Sequence, residues 1–176
     1  ILVVMGTLAG ERERGPQVFV LTKPVSRTQF ILAKYFSYLG IVVVAIILTA
    51  VASGYYTLLL FSNSFSLGPF LVLNLGVIAY SSYILALVVF CSSLLKTPVA
   101  AGGVAFVGFL VIDNLVKLIP GWTGIFPQAV FSALDARRIM TGETSPGNMV
   151  LPIIIGFVMA AVLIGLACFS YEKREM

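Results

Sequence analysis

Residues 35–61 read YFSYLGIVVVAIILTAVASGYYTLLLF. No charged residue falls in this run, and only small or hydroxyl side chains interrupt its Val, Ile, Leu and aromatic content. A bilayer core is crossed by ~20 consecutive apolar residues in helical form, so the stretch is long enough to span. Helix is the form open to it, because lipid offers no partner to an unpaired backbone group.

Working outward, three more runs have the same character. Residues 70–95 form the second, which ends at the polar turn Lys96-Thr97-Pro98; Ser62-Asn63-Ser64 and Gly68-Pro69 mark the loop before it. Residues 99–118 form the third, closed by Pro120-Gly121, and residues 149–171 the fourth, followed by a charged tail at 172–176. The expected fold is an all-α polytopic membrane protein with four complete transmembrane helices. Upstream, the run from Ile1 to Ala9 is apolar but too short to cross, and it lacks the basic leader and cleavage site of a signal peptide. Residues 1–10 are therefore expected to be the end of a membrane helix that begins before Ile1.

Composition agrees. The 176 residues are 60% hydrophobic and 10% charged, with a mean hydropathy of +1.08. A soluble domain of this size has no core large enough to hide that apolar excess. The net charge of +4 is small and scattered, which excludes a nucleic-acid partner. Cys91 and Cys168 both lie inside apolar runs and there is no His, so neither a disulfide framework nor a metal site is indicated.

Charge asymmetry gives an orientation. Residues 11–34, Lys96 and the tail bring together Arg12, Arg14, Lys23, Arg27, Lys34, Lys96, Lys173 and Arg174; the opposite side holds Lys117, Arg137 and Arg138. Eight basic residues against three make the first side cytoplasmic. Tyr35, Tyr38, Tyr55, Tyr56, Trp122 and Tyr171 lie at run ends, where aromatic interface belts belong.

Residues 11–34, ERERGPQVFVLTKPVSRTQFILAK, are the densest charged interval between apolar segments. Pro16 suits the opening position of a helix, and 16–22 reads as a short helix that carries Val18, Phe19, Val20 and Leu21. Being apolar nearly all round, this piece needs cover from a partner, a neighbouring helix or headgroups. Lys23, ahead of Pro24, is pushed out of helical geometry. Ser26 then reads as an N-cap, with Gln29 completing a capping box for the next helix.

An acidic residue, a glycine, an apolar pair, then P-V-S-R, an aromatic or aliphatic residue and a lysine at the mouth of a membrane helix: this order resembles the cytoplasmic loop of ABC-2-type permeases. The positions that carry the resemblance are Glu11 or Glu13, Gly15, Val20-Leu21-Thr22, Pro24-Val25-Ser26-Arg27, Phe30 and Lys34. The resemblance implies a coupling helix, with Glu11, Glu13, Gly15, Val18, Leu21, Pro24, Ser26 and Arg27 as the surface that docks on an ABC ATPase subunit. It also implies a second permease subunit, an export direction, and ATP with Mg bound in the partner chain, so that no cofactor is expected in this one. The domain reading is a helix end at 1–10, a cytoplasmic coupling loop at 11–34, a transmembrane domain at 35–171 with an outer loop at 119–148, and a cytoplasmic tail at 172–176 of a multi-pass cell-membrane protein.

In the outer loop, residues 127–140 read as an amphipathic helix with Val130, Leu134 and Phe131 on one face and Arg137 and Arg138 on the other, stopped at Gly142. Such a helix is either a lid over an exit path or, more commonly, a surface-lying connector. Tyr80, Ser81, Ser82 and Tyr83 bring hydroxyls to the middle of a span. They either line a polar path or, as such groups more often do, bond across a helix pair. Ala101 and Ala105, Gly156 and Ala160, and Ala161 and Gly165 are small residues four apart that let helices approach closely. Asp113 is the carboxylate inside a span, and Lys117 four positions on makes a structural ion pair its expected role. There is no G-x-x-x-x-G-K-S/T loop for ATP, and no base or metal set for intramembrane hydrolysis. A transport subunit is expected, not an enzyme; a channel-like or structural membrane subunit without an ATPase is the alternative.

Overall fold

The computed structural model describes residues 27–60, 67–95, 97–119, 121–122, 124–132 and 147–173. Five helices follow in order: α1 (Arg27–Leu60), α2 (Leu67–Leu94), α3 (Pro98–Leu118), α4 (Ala129–Ser132) and α5 (Gly147–Lys173). Among the described residues all regular structure is helical, and α1, α2, α3 and α5 are long and apolar enough to cross a membrane. The helix end at 1–10, the short helix at 16–22, the corner at 24–26, most of the 61–69 loop, Lys96, the 133–146 part of the outer loop and the tail from 174 lie outside the described residues, as does the Tyr171 side chain.

Isolated polar groups in these helices close onto their own backbone. In α1, Ser37 Oγ donates to the Ala33 carbonyl, Thr49 Oγ1 to Ala45 and Thr57 Oγ1 to Ser53, each at 2.8 Å. Asn74 Nδ2 donates to the Phe70 carbonyl at 2.8 Å in α2, and Asn114 Nδ2 to Leu110 at 2.7 Å in α3. Bonding to the preceding turn lets a hydroxyl or amide sit in an apolar surround without an unmet demand. Pro98 opens α3, where its missing N–H costs nothing, with Thr97 extended before it. A chain of tight turns leads on to α4, beginning at Gly121, whose φ of +90° is one that glycine adopts freely.

Burial is distributed unevenly. α2 is the central helix: it touches α1, α3, α4 and α5, and packs most extensively on α5. The α2–α5 approach is set by small residues. A Cβ added to Gly156 would lie 3.3 Å from both the Cβ and the carbonyl oxygen of Ala79. Ala160 continues that buried face, whereas Ala161 and Gly165 point away from it, exposed. Ala101 and Ala105 are buried on α3. A main cluster joins four helices through Ile31 and Tyr35 of α1, Leu85, Ala86, Val88, Val89 and Cys91 of α2, Ala105 of α3, and Ala160, Ile164 and Ala167 of α5. A smaller one joins Ala79 to Met149 and Ile153.

The connector before α5 does more than lie on the surface. Pro127 and Val130 are fully buried, and Val130 sits directly over Gly76 of α2, where an added Cβ would meet both Val130 γ-carbons at 2.8 Å. The reason lies in α2, which presents a glycine at the one place where the connector must come close.

Candidate functional site

Two features of the α1–α2 pair are candidates for function, and both follow from how α1 is seated. The first turns of α1 place Ile31, Tyr35, Tyr38, Leu39 and Val42 at helical spacing on one face, and these residues pack into the main cluster. Beyond Val42 the helix is largely exposed, apart from Gly54. A long helix is therefore held firmly near its start and only loosely along the rest.

At the held end, the Tyr35 and Ser82 hydroxyls share a hydrogen bond of 2.6 Å, and the Tyr35 hydroxyl also reaches the Ser82 carbonyl at 3.4 Å. Both residues are buried, so the bond forms in a low-dielectric surround, where an unmade one is costly. Tyr35 is thus not an interface-facing ring as its place at a run end suggested: it is 6% exposed and turned into protein. Its inward direction was present in the spacing, since it lies four residues after Ile31 on the buried stripe.

The other members of the Tyr80–Tyr83 set diverge. Tyr80 is half-buried, with its ring edge-on to Phe109 of α3 at 6.4 Å between centroids. Ser81 is half-buried. Tyr83 is 2% exposed, and its hydroxyl has no hydrogen-bond partner among the described residues. Within the set, Ser82 is thus turned to α1 and Tyr80 to α3.

Along the loosely held part, α1 and α2 bound an open cleft of about 550 Å³. Ile46, Ala50, Gly54 and Leu58 line one wall, and Phe70 and Asn74 are on the other. Its lining is almost wholly apolar, because the Asn74 amide is already spent on the Phe70 carbonyl. Such a space admits apolar groups; among the described residues that line it, Tyr55 and Asn74 are the polar side chains, with no Asp, Glu, His, Cys or Lys.

Charged groups lie at the ends of spans. Lys117 Nζ donates to Asp113 Oδ2 within the last turns of α3, on a partly exposed face. Lys34 is placed over the Phe30 ring, 4.6 Å from its centroid. Among the described residues no three His, Cys, Asp or Glu side chains are grouped to hold a metal. Glu11, Glu13, Gly15, Val18, Leu21, Pro24 and Ser26 lie outside the described residues; Arg27 opens α1, with its side chain likewise outside them.

A family profile described as ABC-2 family transporter protein matches residues 1–176, the whole of the chain. The chain belongs to that family. No curated protein and no solved structure matches it. This permease is thus a multi-pass membrane protein and, by family, the membrane-spanning transport subunit of an ABC transporter. The family also implies an ABC ATPase partner and, usually, paired permeases.

Proposed function

We propose that this permease is the exporting subunit of an ATP-driven transporter, worked from the cytosol through residues 11–34. In this reading the apolar piece Val18 to Leu21, flanked by Glu11, Arg12, Glu13 and Arg14, inserts into a groove on a separate ATPase chain that binds ATP and Mg. A second permease subunit completes the assembly. Closure of the ATPase moves the piece, and the capped junction at Pro24, Ser26 and Arg27 passes the motion into α1. Residues 11–34 and the C-terminal tail face the cytosol of a cell membrane. Asp113 and Lys117 act as a structural pair, and Tyr80 to Tyr83 act in helix packing.

The observation that supports this reading is the seating of α1. The helix that leaves the charged loop has its first turns, at Ile31 and Tyr35, fixed in a cluster shared with α2, α3 and α5. A push delivered at Arg27 therefore reaches the core at once. The family likeness favours export over import, and apolar or weakly polar cargo suits the cleft. The test is to replace Val18 and Leu21 together with Asp in the full-length protein. Membrane insertion should be unchanged while co-purification of the ATPase is lost; a complex that survives both substitutions contradicts the coupling.

A further inference from the structure

We infer that the buried Tyr35–Ser82 hydrogen bond is the pivot on which α1 tilts, so that small displacements at its start open or close the α1–α2 cleft. The inference rests on the coupling proposed above and adds the residues that turn a push into a swing.

Three observations carry it. First, α1 is fixed only around the bond: Ile31, one turn before Tyr35, and the half-buried Tyr38, Leu39 and Val42, within two turns after it, pack into the main cluster, and most of the helix beyond is exposed. Second, the bond joins α1 to α2, which is itself locked to α5 at Ala79 and Gly156, so Ser82 belongs to a fixed frame. Third, the space that α1 would sweep exists, as the open cleft between its distal half and α2. A hydrogen bond suits a pivot because it keeps two atoms together over a range of angles.

Geometry gives the gain. At 1.5 Å per residue, Arg27 lies ~12 Å from Tyr35 along the helix and Leu58 lies ~35 Å beyond it. A displacement of ~2 Å at the loop end thus becomes ~6 Å at Leu58. Tyr35 and Ser82 are positioning residues in this scheme; neither need touch the cargo.

The experiment uses the full-length permease with its ATPase in lipid nanodiscs. Cys91 and Cys168 are replaced by Ser, and spin labels are introduced at Leu58 and Leu71 on the two walls of the cleft. Label separation is measured without nucleotide and after trapping with ATP and vanadate, alongside ATP hydrolysis. The expected shift in the parent is about 6 Å. With Tyr35→Phe the hydroxyl is lost and the ring kept: hydrolysis persists, the separation broadens, and less than half of the shift remains. Ser82→Ala removes the same bond from the other side and keeps the test alive if Tyr35→Phe does not fold. Ser37→Ala, which deletes an exposed hydroxyl bonded within α1, should shift like the parent. Labels that stay put in a hydrolysing parent complex overturn the pivot alone, as do Tyr35→Phe and Ser82→Ala variants that both shift fully. A parent that captures no ATPase overturns the coupling, and the pivot with it.

Discussion

Gly76 and Val130 should show opposite effects of one methyl group, depending on what faces it. A Cβ built on Gly76 lies 2.8 Å from Val130 Cγ1 and Cγ2 and 3.4 Å from its Cβ. Carbon atoms pack best at ~3.5–4.0 Å, so Gly76→Ala forces α4 and α2 apart by several tenths of an ångström or more. Val130 is β-branched, fully buried and stiff about χ1, and has no easy rotamer to retreat to. Overpacking of this kind costs ~1–3 kcal/mol, while Ala in place of Gly within a helix returns ~1 kcal/mol. The net expectation for Gly76→Ala is a destabilisation of up to ~2 kcal/mol. Val130→Ala deletes both clashing carbons at a cost of roughly 1.6 kcal/mol, counted as two buried methylene equivalents. In that background only the 3.4 Å contact to Cβ is left, and Gly76→Ala should stabilise by ~1 kcal/mol. The measurement is reversible unfolding by SDS in mixed micelles. Trp122, the chain's single tryptophan, stacks on Phe126 at 6.0 Å and reports the connector by its fluorescence. If Gly76→Ala has the same sign and size in both backgrounds, Val130 is not seated on Gly76 and the docking of the connector is refuted.

Two further outcomes follow from the hydroxyl and charge placements. Tyr83→Phe removes a buried hydroxyl that has no partner among the described residues, so it should leave the unfolding midpoint unchanged or raise stability by ~1 kcal/mol; a loss of 1 kcal/mol or more would show that the hydroxyl is bonded in the membrane. Asp113→Asn keeps the shape and removes the charge from a pair whose lysine is 60% exposed. Such a pair is worth ~0.3–0.5 kcal/mol, so stability and transport in proteoliposomes should both stay near the parent's values, and a collapse of transport would make Asp113 part of the path.

The four spans were legible because each is an uninterrupted apolar run between polar punctuation, and that alone selects a lipid-crossing helix. Lys96-Thr97-Pro98 marked the start of α3 correctly, since proline at the opening of a helix needs no further help. Which helix occupies the centre was not legible in the same way. α1 and α2 are both apolar all round, yet α2 is enclosed and α1 is largely exposed. Lipid is as apolar as leucine, so hydrophobicity does not choose between them. Small residues let neighbours come close at Gly76, Ala79, Ser82, Ala86, Ser92 and Ser93 of α2, all buried, but α1 carries small residues too, such as Gly40, Ala45 and Ala52, which are exposed, so their number does not choose either. Tyr35 was misplaced at an interface for a related reason. Its position at the end of an apolar run suggests a belt, whereas its register with Ile31 and Leu39 turns it into the bundle, and only the second property depends on the neighbouring helices.

This division between enclosed and exposed helices bears on how the permease works. A transporter needs one part that holds its shape and another that moves, because a bundle packed equally tightly throughout offers no low-cost displacement. Here α2 and α5 meet through Ala79 and Gly156, where even a methyl group is crowded, and the connector is pinned at Gly76. α1 is anchored at its loop end alone and borders open space along its length. In the proposed coupling the moving part is the helix that follows residues 11–34, and a motor acting there would need no relay through the core. If α1 were instead clamped along its whole length by a neighbouring subunit, with the cleft filled by that subunit's side chains, the motion would have to pass to α3. That helix packs only on α2 to any extent and keeps most of its surface free. Cross-linking across the cleft separates these cases: a disulfide between cysteines introduced at Leu58 and Leu71 should halt transport if α1 swings, and should leave it running if α3 does.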